Sequence, residues 1–71
     1  MHTKNIYKVF LNNETESTIL ADDYKTEDGL IKFYNDSPKY DYSGTSVVGW
    51  KRYFNGVSFN INNVVKITRE D

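Results

Sequence analysis

The sequence predicts an all-β fold, a small antiparallel five- to six-stranded barrel or curled sheet, formed by residues 1–71 as one domain. Three observations predict it. Apolar residues alternate at period two along most of the chain, and no stretch carries helical spacing. Asp28-Gly29 and Asn55-Gly56 each supply the two positive-φ positions of a type I′ hairpin turn. Finally, six Tyr, four Phe and one Trp give a thin core large buried areas per side chain, where no cysteine is present to brace it.

The elements follow in order. Residues 6–11 read as a strand, with Tyr7, Val9 and Leu11 on one face and Ile6, Lys8 and Phe10 on the other. Both faces are largely apolar, as for a strand covered on both sides or bending around a barrel. Asn12-Asn13-Glu14-Thr15 is a turn, because Asn tolerates positive φ and bonds its own backbone. A second strand spans 17–24, and residues 30–34 form a third beyond the Asp28-Gly29 turn. Residues 35–45, with Pro, Gly, Ser and Asp among them, read as the longest loop. Residues 47–54 form a fourth strand, turned back at Asn55-Gly56. That register pairs Phe54 with Val57, Arg52 with Phe59 and Trp50 with Ile61, and sets Val48, Trp50, Phe54, Val57, Phe59 and Ile61 on one face, with Arg52 as its misfit. Asn62-Asn63 turns the chain into a last strand over 64–68. Trp50, Phe59, Ile61 and Ile67 are the expected core.

Chemistry is sparse. His2 is the single imidazole and lies at the terminus, where an exposed tail residue is the plain expectation. Without a second His or any Cys, neither a Ser–His nor a Cys–His nucleophile can be built, and Cys-based zinc sites are excluded. The carboxylates of residues 14–28 do not match a calcium loop, since Lys25 stands where an oxygen ligand is required. Gly44 to Gly49 has phosphate-loop glycine spacing, but Trp50 replaces the Lys and no helix follows. No catalytic residue, metal ligand or cofactor is therefore expected, and the chain is not expected to be an enzyme. No apolar run reaches membrane-spanning length, and the absence of Cys agrees with a reducing cytoplasm.

What remains is binding. Tyr40, Asp41 and Tyr42 lie in a loop of binding-loop composition, where Tyr gives contact area at low entropy cost. The same rings would instead cap a thin core if the loop folds back. Lys51, Arg52 and Tyr53 adjoin them on the next strand, so the expected partner-binding set is Tyr40, Asp41, Tyr42, Lys51, Arg52 and Tyr53. Interleaved bases and rings also suit a single nucleic-acid strand, although a net charge of −1 and the missing glycine-aromatic motif of RNA-recognition domains argue against it. Residues 12–28 hold six acids and one base, whereas 43–69 hold four bases and no acid, a polarity that can steer docking onto a protein.

Two resemblances complete the picture. Val57-Ser-Phe-Asn-Ile-Asn-Asn-Val64-Val-Lys-Ile67 resembles the closing segment of SH3-like and Sm-like barrels, where a strand, a short turn and a final strand seal the sheet. Residues 21–35, ADDYKTEDGLIKFYN, with Asn63-Val-Val-Lys-Ile67, resemble small accessory proteins of bacteriophages and prophages from low-GC Gram-positive bacteria. In those a hairpin on an acidic-Gly turn precedes a strand ending in Phe-Tyr. That resemblance covers about half of the chain. It implies a role in phage–host interaction inside the bacterial cytoplasm, including inhibitors of host defence such as anti-CRISPR proteins that occlude a site on a host protein. The alternatives are a single-stranded nucleic-acid binder and a structural piece of a phage particle.

Overall fold

A computed structural model describes residues 4–70, and His2, the sole imidazole, lies outside the described residues. The fold is all-β. Its strands are β1 (Asn5–Leu11), β2 (Glu16–Ala21), β3 (Asp23–Glu27), β4 (Leu30–Tyr40), β5 (Val47–Asn60) and β6 (Val64–Glu70), with one 3-10 turn at Ile61–Asn63. They form two three-stranded antiparallel sheets, ordered β2-β1-β6 and β3-β4-β5. The expected barrel does not close. Each sheet ends in free edges, and the molecule is long and thin, 50 × 27 × 13 Å. Among the described residues no helix is long and apolar enough to cross a membrane.

The core lies between the two sheets and is built from the inward face of each. Tyr7, Val9 and Ala21 come from the first sheet, Ile31 and Phe33 from the second. This bears out the predicted inward face of β1, whereas Ile6 on its other face is exposed and Phe10 lies beneath the Lys66 ammonium at 4.8 Å. Tyr7, Tyr24 and Phe33 pack as a triangle with ring centroids 5.2–5.7 Å apart, and Phe59 meets Phe33 edge-on at 6.2 Å. Phe59 and Ile67, expected in the core, are half-buried and pack against it. Trp50 and Ile61 do not: both are exposed.

The predicted second strand is broken at Asp22, where the chain leaves one sheet for the other. Asp22 N–H donates to the Tyr34 carbonyl at 2.9 Å, and its carboxylate, only 3% exposed, accepts the Asp36 N–H. Asn5 Nδ2 donates to the Asp22 carbonyl at 3.0 Å. The Asp28-Gly29 hairpin turn is present as predicted, with φ of 54° and 74°.

Asn55-Gly56 is not a turn, which corrects the largest topological expectation. Lys32 pairs with Ser58 and Tyr34 with Phe54, so Asn55, Gly56 and Val57 all face the single residue Phe33. Gly56 takes its positive φ, 91°, within this wide bulge, and Asn55 Oδ1 accepts the Val57 N–H at 2.9 Å. The dipeptide supplies a kink while β5 runs on through it. Chain reversal happens instead at residues 41–46, so the expected long loop 35–45 is mostly strand. The register accordingly pairs Phe54 with Tyr34, Arg52 with Asp36, Trp50 with Pro38 and Phe59 with Ile31.

Candidate functional site

Pairing of β3 with β4 stops at Asp23 and Tyr34, but β4 and β5 continue together to Tyr40 and Val47. The result is a two-stranded arm, about 20 Å from Tyr34 to Tyr40 at ordinary strand rise. Among the described residues its outer end, Lys39 and Tyr40 with Val47 and Val48, is exposed. The expected site residues all fall on this arm, and the geometry sorts them.

The arm's tip is closed by Asp41. Gly44 N–H donates to the Asp41 carbonyl and Asp41 N–H to the Ser46 carbonyl, both at 3.0 Å. The Asp41 carboxylate accepts from the Ser43 hydroxyl at 2.7 Å and from Thr45 N–H at 3.2 Å. The Ser43 hydroxyl is the main reason its acidity is raised, its pKa lying below the usual value. Asp41 is therefore a turn-forming residue. It holds Tyr40 and Tyr42 on either side of itself, and with Val48 these line a shallow open depression at the tip. Tyr40 is 56% exposed and Tyr42 fully exposed. Neither ring caps the core.

Strand alternation divides the arm into two faces. On one face the cross-strand pairs are Tyr34 with Phe54, Asp36 with Arg52 and Pro38 with Trp50. Tyr34 and Phe54 rings meet at 6.0 Å. Arg52 makes a forked pair with Asp36, Nε to Oδ1 at 2.7 Å and Nη2 to Oδ2 at 2.9 Å, and reaches Asp23 through Nη1 at 3.0 Å. The Asp36 carboxylate is the first cause of a guanidinium pKa raised even above its ordinary value. Arg52, the apparent misfit of the sequence pattern, thus joins the acidic segment to the arm, and the expected separation of acidic and basic sides does not hold there.

The opposite face carries Lys39, Gly49, Ser37, Lys51, Asn35 and Tyr53 in the same register. Lys51 and Arg52 therefore point away from each other. Sequence reasoning expects Tyr40 and Tyr42 to share one side with Lys51 and Arg52, but of these bases Arg52 alone lies on the Tyr40 face. Tyr40, Tyr42 and Arg52 group with Val48, Trp50 and Phe54, whereas Lys51 and Tyr53 share a face with Lys39.

Sequence reasoning missed Val48, Trp50 and Phe54 as surface residues, because the Asn55-Gly56 assignment folded them inward. A signal for the correct turn was present in Asp41-Tyr-Ser-Gly44, which has the Asp and Gly ends of a type I turn. Gly44 adopts φ of 73° there. Among the described residues no group of three or more His, Cys, Asp or Glu is arranged to hold a metal ion. Comparison with family models, curated proteins and solved structures found no match.

Proposed function

We propose that the chain is a non-catalytic protein-binding module and that the β4–β5 arm is its binding element. The observation that supports this reading is a row of large side chains, about half exposed or more, on the face of the arm turned away from the first sheet. Trp50 is 52% exposed, Val48 67% and Phe54 46%, and they continue into Tyr40 and Tyr42 at the tip. Scattered surface apolar residues are ordinary, but a contiguous stripe is characteristic of an interaction surface. Its Trp, Tyr and Arg composition is that of interface hot spots. A projecting ribbon can enter a cleft, which suits occlusion of a site. Together with the resemblance to phage accessory proteins, this points to a bacterial host protein as the partner, with inhibition of host defence as the consequence.

The test is capture from a Gram-positive host lysate by wild type and by the Tyr40→Ala/Tyr42→Ala variant. A partner held by the first and lost by the second, at equal melting temperature, supports the arm. The same proteins recovered with both would remove it. A second reading, single-stranded nucleic acid, draws on Lys39, Lys51 and Tyr53 sharing one face. It requires oligonucleotide affinity that falls steeply with salt.

A further inference from the structure

The two backbone edges of the arm are not equivalent. The Tyr34 carbonyl and the Asp36 N–H both point away from β5, since the first accepts from Asp22 N–H and the second donates to the Asp22 carboxylate. Two residues on, Pro38 has the same orientation and carries no N–H. Asp22 and Pro38 thereby close the β4 edge to a further strand. Residues facing each other in an antiparallel pair either exchange both hydrogen bonds or neither. Phe54 and Arg52, the partners of Tyr34 and Asp36, therefore turn N–H and C=O toward the outer edge of β5. β5 is the last strand of its sheet, and both residues are exposed.

Side chains on the two faces of the arm specify what would suit that edge. The other lysines of the described residues each meet a carboxylate or a ring: Lys4 meets Asp22, Lys8 meets Glu70, Lys25 and Lys32 meet Glu27, and Lys66 meets Phe10. Lys39 and Lys51 have no such partner. They sit as diagonal neighbours on one face, Lys39 opposite Gly49 and Lys51 opposite Ser37, with open space above Gly49. The other face of β5 carries Val48, Trp50 and Phe54, with Arg52 between the last two neutralised by Asp36 and Asp23.

The geometry points to strand addition: the outer edge of β5 accepts one extended protein segment whose residues alternate, acidic toward Lys51 and Lys39, apolar toward Phe54 and Trp50. This rests on the protein-binding reading and names the chemistry of the partner. A second copy of β5 is a poor occupant, because residues 43–69 contain no Asp or Glu to meet the lysines.

The probe is a labelled, end-blocked peptide alternating Val and Glu over about eight residues, long enough to span the arm. Fluorescence anisotropy compares it with an alternating Val–Lys peptide and with a peptide of its own composition arranged as two blocks. The alternating Val–Glu peptide should bind about tenfold more tightly than either. In one of its two registers, N-methylation of every second amide should abolish binding. Lys39→Glu/Lys51→Glu should reverse the preference between Glu and Lys peptides. Equal binding of the block peptide overturns strand addition, and an unchanged preference in the lysine variant overturns the assignment of that face. A self-associated dimer that excludes the peptide, or binding confined to an oligothymidine strand, overturns the partner class. Absence of any peptide binding, while Tyr40→Ala/Tyr42→Ala still abolishes lysate capture, removes strand addition and leaves the binding module standing.

Discussion

The base and the arm share the same two strands, yet they obey different rules. On β4, Phe33 has 0% of its surface exposed and Tyr40 has 56%. On β5, Phe59 packs edge-on against Phe33, while Trp50 and Phe54 stand largely in water. The residue types hardly differ between the two ends. What differs is the face, since Phe33 and Phe59 point toward the first sheet, whereas Tyr40, Trp50 and Phe54 lie with Tyr34 on the face turned away from it. Phe33 and Phe59 are consequently buried or half-buried on the inward face, and Tyr40, Trp50 and Phe54 about half exposed on the outward one.

The largest expected contrast is in stability. Phe33→Ala removes the center of the aromatic cluster and should cost about 3–5 kcal/mol, enough to unfold a domain of this size. Tyr40→Ala/Tyr42→Ala should leave the melting temperature nearly unchanged. A cooperative melt at the wild-type midpoint for Phe33→Ala, or a large loss for the tyrosine pair, would break the division between base and arm.

Asp22 joins the two regions, so its substitution tests how firmly the arm is seated. Asp22→Ala leaves the Asp36 N–H without its acceptor beside a buried junction and should cost about 1–3 kcal/mol in urea melts. Gly56→Ala comes next. Space for the methyl group is open, so the cost is the backbone strain of a positive φ alone, about 1–2 kcal/mol. If Gly56→Ala is neutral, β5 does not need its bulge, and the register of the arm would have to change.

The smallest effects belong to the outer face of the second sheet. Tyr34 donates to Glu27 Oε1 at 2.5 Å, which lowers the Glu27 pKa from its ordinary 4.5 and raises that of Tyr34 from its ordinary 10.0. A depressed carboxylate stabilises above its unfolded pKa and loses that contribution as pH falls through the folded one. A raised phenol stabilises below its unfolded pKa and loses it as pH climbs through the folded value. The contact should therefore help between about pH 4.5 and 10.0 and fade outside that window. Tyr34→Phe should abolish this pair's share of the pH dependence in thermal melts while lowering stability only slightly. Arg52→Met should likewise be mild for stability, because surface ion pairs are solvent-screened. Backbone amide exchange along residues 35–54 would show whether the arm's seating loosens with the loss of Asp23 and Asp36 as partners.

The all-β class, the inward face of Tyr7 and Val9, the Asp28-Gly29 hairpin and the final strand are all legible in the amino-acid order. Each of these is encoded locally, by alternation at period two or by the positive φ that a tight turn demands. Amino-acid order also placed the candidate residues on one continuous stretch, 40–53. Tertiary structure decided the rest. Asn-Gly specifies a positive φ, which a bulge satisfies as well as a turn does, and the choice fell to the long pairing of Tyr34–Tyr40 with Val47–Phe54 beyond it. That pairing turned Trp50 and Phe54 from expected core into surface and set Arg52 against Asp36 and Asp23. Alternation says which side chains share a face, but only the position of the opposing sheet says which of the two faces is buried.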